Sequence, residues 1–227
     1  TTSVFLETVA TIPIPRPILS GPYIINNESI VVGTNSHPRH LFMFSKEGHA
    51  LGPIPLTSPG HLYGDRLLAL KDTLVFNDWG PTLFIDSMGA VKAKLNYTGH
   101  FIKASDHSVV LLENWRDPKK ATLKYFSSDG VKTLEQELVG GVHSYGNLTP
   151  DVMYFLNKES QYFISADGTQ KLQTNLRLEI PDYSRPWPAP IQNPDGSIYI
   201  FSAKSYFHVS AAGEKLAEFK FENPIQH

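Results

Sequence analysis

The chain has 227 residues, 41% of them hydrophobic and 19% charged, with 20 Lys and Arg against 22 Asp and Glu and no cysteine. A net charge of -2 with no Lys/Arg-rich run lacks the electrostatic footprint of a nucleic-acid binder, and no stretch approaches the ~20 apolar residues of a membrane-spanning helix. The composition is that of a folded chain of one large or two small domains, and the lack of cysteine excludes disulfides, thiolate metal sites and Cys nucleophiles together.

In chain order, the first element is an apolar strand at residues 3–12 that stands outside the pattern that follows. The first repeat, about residues 20–56, has a hairpin whose strands Ile24-Ile25 and Ser29 to Val32 flank the turn formers Asn26, Asn27 and Glu28. It then has a second hairpin, Leu41 to Ser45 with its turn at Lys46, Glu47 and Gly48. The second repeat, about 62–97, places Leu67 to Leu70 and Thr73 to Phe76 around Lys71-Asp72, followed by Leu83 to Asp86 and a turn ending at Gly89. The third, about 100–138, runs Phe101-Ile102, Asp106-His107, Ser108 to Leu112, and then Leu123 to Ser127 with Gly130. The fourth, about 143–178, carries Tyr162 to Ser165 and Gly168. The fifth, about 186–221, carries Ile191, the turn Asn193 to Gly196, Ser197 to Phe201, then Phe207 to Ser210 with Gly213 and a last strand up to Phe221. The only run of helical period is the short stretch 133–138.

The five turn glycines fall 41, 41, 38 and 45 residues apart, a period suited to a four-stranded unit. Each glycine supplies the positive φ of a tight turn, and the Ser or Asp three residues before it can hydrogen-bond the turn backbone. The pattern resembles PQQ-type and other WD-like propeller repeats, most plainly in Asp195 to Ile200 followed by Tyr206 to Leu216. The expected fold is therefore all-β: a single five-bladed β-propeller with four antiparallel strands per blade, its ring closed by the strand at 3–12. Five short blades are similar to a tachylectin-type lectin scaffold; five-bladed glycosidases share the architecture with longer loops, and no catalytic signature carries over from either group.

In such a fold the connection into each inner strand shares one face with the loop between the second and third strands. The incoming connections carry His61, His100 and His143, which lie 13, 11 and 13 residues beyond the preceding turn glycine. Convergent imidazoles suit a divalent transition metal, so this trio is the candidate metal site. It is also the candidate catalytic site of a hydrolase or lyase, with Tyr145, Tyr183 or Arg185 stabilising developing charge. The competing reading gives these histidines ordinary hydrogen bonds that hold loops together. The second loop set carries Asp78-Trp79 and Glu113, Trp115 and Arg116, with Asp182 and Trp187 in a later incoming connection. An acid or amide beside Trp is the chemistry of sugar sites, because the indole stacks on a pyranose face while polar neighbours take its hydroxyls. The packing alternative is that these tryptophans cover blade edges.

The loops differ from repeat to repeat, so the expectation is one asymmetric site at the channel mouth. Its leading occupant is a glycan or other small molecule; a histidine-centred enzyme and a scaffold for protein partners are the alternatives. The chain opens on Thr1 rather than Met, as a trimmed chain would. The sequons at Asn27, Asn96 and Asn147 would be read only in a eukaryotic secretory pathway.

Overall fold

The computed structural model describes residues 18–25, 29–34, 40–55, 67–77, 81–97, 99–180 and 187–222. Within them the chain forms five four-stranded antiparallel sheets, each a meander in which strands pair in chain order. The first sheet is β1 (Ile18–Ile25), β2 (Ser29–Thr34), β3 (His40–Ser45) and β4 (Ala50–Pro55). The second is β5 (Leu67–Ala69), β6 (Thr73–Asn77), β7 (Thr82–Asp86) and β8 (Val91–Leu95). The third is β9 (His100–Ser105), β10 (Ser108–Glu113), β11 (Lys120–Ser127) and β12 (Lys132–Val139). The fourth is β13 (Ser144–Thr149), β14 (Val152–Leu156), β15 (Gln161–Ser165) and β16 (Gln170–Thr174). The fifth is β17 (Ile191–Gln192), β18 (Ile198–Ser202), β19 (Ser205–Val209) and β20 (Lys215–Lys220). Sheets one and two, with the turn 128–130, make one compact unit; sheets three, four and five make a second. Among the described residues no helix is long and apolar enough to cross a membrane. The strand expected at residues 3–12 lies outside the described residues.

The fourth sheet shows why the middle strands read as apolar runs rather than alternating ones. Met153, Phe155, Tyr162 and Ile164 pack with Val110, Leu112, Leu123 and Tyr125 of the third sheet. Tyr154, Leu156 and Phe163 turn the other way and pack with Ile198, Ile200, Phe207 and Val209 of the fifth. A strand buried on both faces keeps no polar alternation, and β15 is buried throughout. The fourth strand of each of the later sheets is the polar, exposed edge, as in β8, β12, β16 and β20. Lys and Glu there discourage edge-to-edge pairing. The helical period at 133–138 is overridden by this arrangement, since those residues pair along β11 in the body of β12.

The turn chemistry follows the sequence pattern. Gly48, Gly89, Gly130, Gly168 and Gly213 all have positive φ, between 76° and 90°. The Asp86 carboxylate accepts from the Met88 and Ala90 N–H groups at 2.9 and 2.8 Å, and Ser210 Oγ accepts from Ala212 and Glu214 at 3.2 and 3.1 Å. In the fourth sheet's turn, Asp167 Oδ1 accepts from the Ser165 hydroxyl at 2.5 Å and the Thr169 N–H at 2.8 Å. The Ser165 hydroxyl is the largest cause, with the Thr169 N–H next, of a carboxyl held down at about 2. A carboxyl depressed in the fold adds stability that is complete above its unfolded value of about 3.9 and fades as pH falls through the folded one. Acid unfolding of the wild-type chain between pH 4 and pH 2 is therefore expected to be steeper than that of Asp167→Asn. Melting curves across that window check this, and parallel acid limbs would show that Asp167 titrates alike in both states.

Candidate functional site

The best-described candidate site lies at the loop-bearing end of the third and fourth sheets. It begins with the six-residue loop between β10 and β11. Asn114 enters with φ 53°, a left-handed conformation that Asn tolerates, and its carbonyl accepts the Asp117 N–H at 2.9 Å. Asp117 in turn accepts the Lys119 N–H at 2.8 Å. The loop is fastened to the connection that leaves β12: Gly140 N–H donates to Lys119 O at 2.8 Å and Val142 N–H to Trp115 O at 2.7 Å. A segment tied at both ends in this way presents its side chains from a rigid base.

Three rings from separate elements meet there. His100, the first residue of β9, makes an edge contact with Trp115 at 5.1 Å between centroids and a tilted contact with Tyr145 of β13 at 5.3 Å. Trp115 and Tyr145 also pack against the core shared by the third and fourth sheets. The exposed Arg116 lays its guanidinium over the Trp115 ring, Cζ 4.3 Å from the centroid. Beyond the 140–142 connection is a cavity of about 320 Å³ whose lining includes Gly140, Gly141, His143, Asn157, Glu159 and Ser160. Asn157 shapes it: Nδ2 donates to Val139 O at 2.8 Å, and Oδ1 accepts from Glu159 N–H and Ser160 N–H at 2.9 and 2.6 Å.

The structure thus brings together His100, Trp115 and Arg116, with His143 on the neighbouring cavity wall. Glu113 is placed differently from a free sugar-binding acid. Its carboxylate lies 2.6 Å from Lys124 Nζ, with both side chains about 15% exposed, so its charge is matched within the sheet. Trp187, expected to offer a stacking face to a ligand, is a core residue 7% exposed, and its indole N–H donates to Phe201 O at 2.9 Å. It lies among Leu176, Leu178 and Ile180, whose burial the sequence pattern did not announce, so its packing surroundings were not visible beforehand. His61, Asp78, Trp79, Asp182, Tyr183 and Arg185 lie outside the described residues. Among the described residues no group of three or more His, Asp or Glu side chains is placed to hold a metal ion. His100 packs instead in the aromatic cluster. The sequence places Asn157, Lys158 and Glu159 in the same loop set as Trp115, but the role of Asn157 in shaping the cavity depends on contact with Val139, which no local pattern signals.

The five four-stranded sheets stacked face to face within each unit define the class as a β-propeller, and comparison with solved structures agrees. The chain is similar in fold to BamB from Moraxella catarrhalis, with a TM-score of 0.58 and 14% identity over 91% of this chain and 66% of that one. It is similar to a eukaryotic initiation factor (TM-score 0.62, 11% identity, 87% of this chain, 53% of that one). It also resembles Hsv2 from Kluyveromyces lactis (TM-score 0.55, 9% identity, 86% and 67%). The chain spans between about half and two thirds of the length of these structures. No protein-family model matches the chain, and no curated protein matches it in sequence.

Proposed function

We propose that this chain is a binding propeller: its five sheets are the blades of one ring, closed by residues 3–12, with a single asymmetric glycan site on the loop-bearing end. The observation that carries the reading is the cluster of His100, Trp115 and Tyr145, three rings converging from three elements, while Pro118 of the Trp115 loop lines a cavity of mixed polar and apolar groups. Aromatic rings next to hydrogen-bonding groups match the two chemistries of a pyranose, whose axial C–H face is apolar and whose rim is hydroxylated. The differing loops argue for one site rather than a repeated one. Glycoside cleavage needs two carboxyl groups across the bond, and two of the described carboxylates at this end are otherwise engaged. Glu113 is paired with Lys124, and Asp117 is engaged with backbone.

The test is a glycan array on the whole chain, followed by titration of the best ligand against Trp115→Ala. Loss of a central aromatic contact should weaken binding by about tenfold or more. A melting curve accompanies the variant because Trp115 also touches the core. An array without binders, or unchanged affinity in a folded Trp115→Ala chain, would remove the glycan reading.

A further inference from the structure

The position of Arg116 names the ligand's chemistry more closely, an inference that rests on the glycan reading above. Its guanidinium covers the Trp115 ring at 4.3 Å on an exposed loop, so that indole surface is already occupied by a cation. Among the described residues no carboxylate forms an ion pair with Arg116, while its neighbours are matched: Lys120 pairs with Glu137, and Lys124 with Glu113. Asp117, next in sequence, turns Oδ1 to the Lys119 N–H at 2.8 Å. A guanidinium lying over an indole still has N–H donors to offer a partner, and its fork fits a carboxylate bidentately. The contact with Trp115 and the fastened loop hold Arg116 over a rigid base, which lowers the ordering cost of binding.

We infer that the ligand is a carboxylate-bearing saccharide of the uronic-acid type. Arg116 takes the carboxylate, the sugar ring lies against the half-buried His100 and Tyr145 rings, and hydroxyl groups reach the cavity beyond Gly140 and Gly141. That cavity, at about 320 Å³, is at the small end of the roughly 300–1,000 Å³ of ligand pockets and offers Ser160, His143 and Glu159 as hydroxyl partners. Ring stacking and hydroxyl partners together favour an acidic sugar over an acidic peptide.

The experiment titrates the whole chain with oligomers of galacturonate, glucuronate and mannuronate and with their carboxyl-reduced neutral counterparts. It uses wild type, Arg116→Gln and Arg116→Lys. The expected result is binding of at least one oligouronate about tenfold or more tighter than its neutral counterpart, in line with charge-assisted hydrogen bonds. Arg116→Gln should abolish the preference, and Arg116→Lys should restore only part of it because it keeps the charge without the fork. Equal binding of acidic and neutral oligomers, or a preference that survives Arg116→Gln, overturns this inference and leaves the glycan reading standing. Absence of binding to every saccharide, with Arg116-dependent binding of a poly-glutamate peptide or without it, overturns both.

Discussion

Gly168→Ala is expected to lose about 2–4 kcal/mol of stability, from a left-handed backbone and a steric collision acting together. Gly168 has φ 86°, which an alanine adopts only under strain. A Cβ there would sit 2.2 Å from Leu134 Cδ2 of β12, with Gln136 Nε2 at 3.1 Å and Tyr125 Cζ at 3.5 Å closing the other sides. The Leu134 methyl can rotate away in part, but the Gln136 amide is held in place by its own hydrogen bond to Gly168 O at 2.6 Å. Gly196 separates the two causes: it lies in the same compact unit with φ 84°, and its added Cβ would meet only Ala211 Cβ at 3.2 Å. Urea melts should show Gly196→Ala losing about 1 kcal/mol, the backbone share alone. The excess in Gly168→Ala should shrink in a Leu134→Ala background, where the obstructing methyl is gone. Equal losses at the two glycines would show that the turn of the fourth sheet does not seat against β12.

These turns were readable from the sequence because their cause is local: a positive-φ glycine and a Ser or Asp three residues earlier satisfy one another within five residues. Counting such turns gives the sheets, and the apolar runs between them give the strands. The site was legible only where its residues are neighbours in sequence, as Trp115 and Arg116 are. Contact of His100 with Trp115 and Tyr145 depends on how β9, the β10–β11 loop and β13 come together, and no spacing rule reaches across that distance. The same limit explains Glu113. Its partner Lys124 lies on the adjacent strand, where β10 pairs Glu113 with Thr122 and Leu111 with Lys124, so the ion pair runs diagonally across the ladder. The burial of Trp187 was hidden for the complementary reason: its N–H finds a carbonyl only after Phe201 is brought over it by β18. Contacts that follow from pairing register are tertiary facts, and a polar side chain is free or spent according to them.

The deepest case of a polar side chain spent on structure is Gln161, and replacing it should be as costly as deleting a core side chain. It is the first residue of β15 and fully buried. Its Nε2 donates to Asn157 O at 3.1 Å and Leu176 O at 3.0 Å, and its Oε1 accepts the Leu176 N–H at 2.9 Å. One amide thereby pins the chain that leaves β16, the stretch whose Leu176, Leu178 and Ile180 join the core between the fourth and fifth sheets. Thr82 stands at the same distance before its turn glycine in the second sheet and does a similar task with one bond, donating to Tyr97 O at 2.8 Å. In Gln161→Leu the volume is nearly kept but the three backbone groups lose their buried partner. At about 1–3 kcal/mol for each group left unsatisfied, the expected loss is about 3–5 kcal/mol after relaxation. Gln161→Glu distinguishes lost hydrogen bonds from lost packing. An ionised carboxylate there would face two carbonyl oxygens with one N–H to accept, so burial and those oxygens should raise its pKa in the fold. A raised folded pKa means stability that is complete below the unfolded value of about 4.3 and lost as pH climbs through the folded one. Gln161→Glu should therefore approach Gln161→Leu or fall below it at pH 7 and recover toward pH 4, while Gln161→Leu keeps a pH profile parallel to wild type. Urea melts at the two pH values read this directly, and a Glu variant as stable at pH 7 as the wild type would mean that the Leu176 chain is held by its apolar side chains alone.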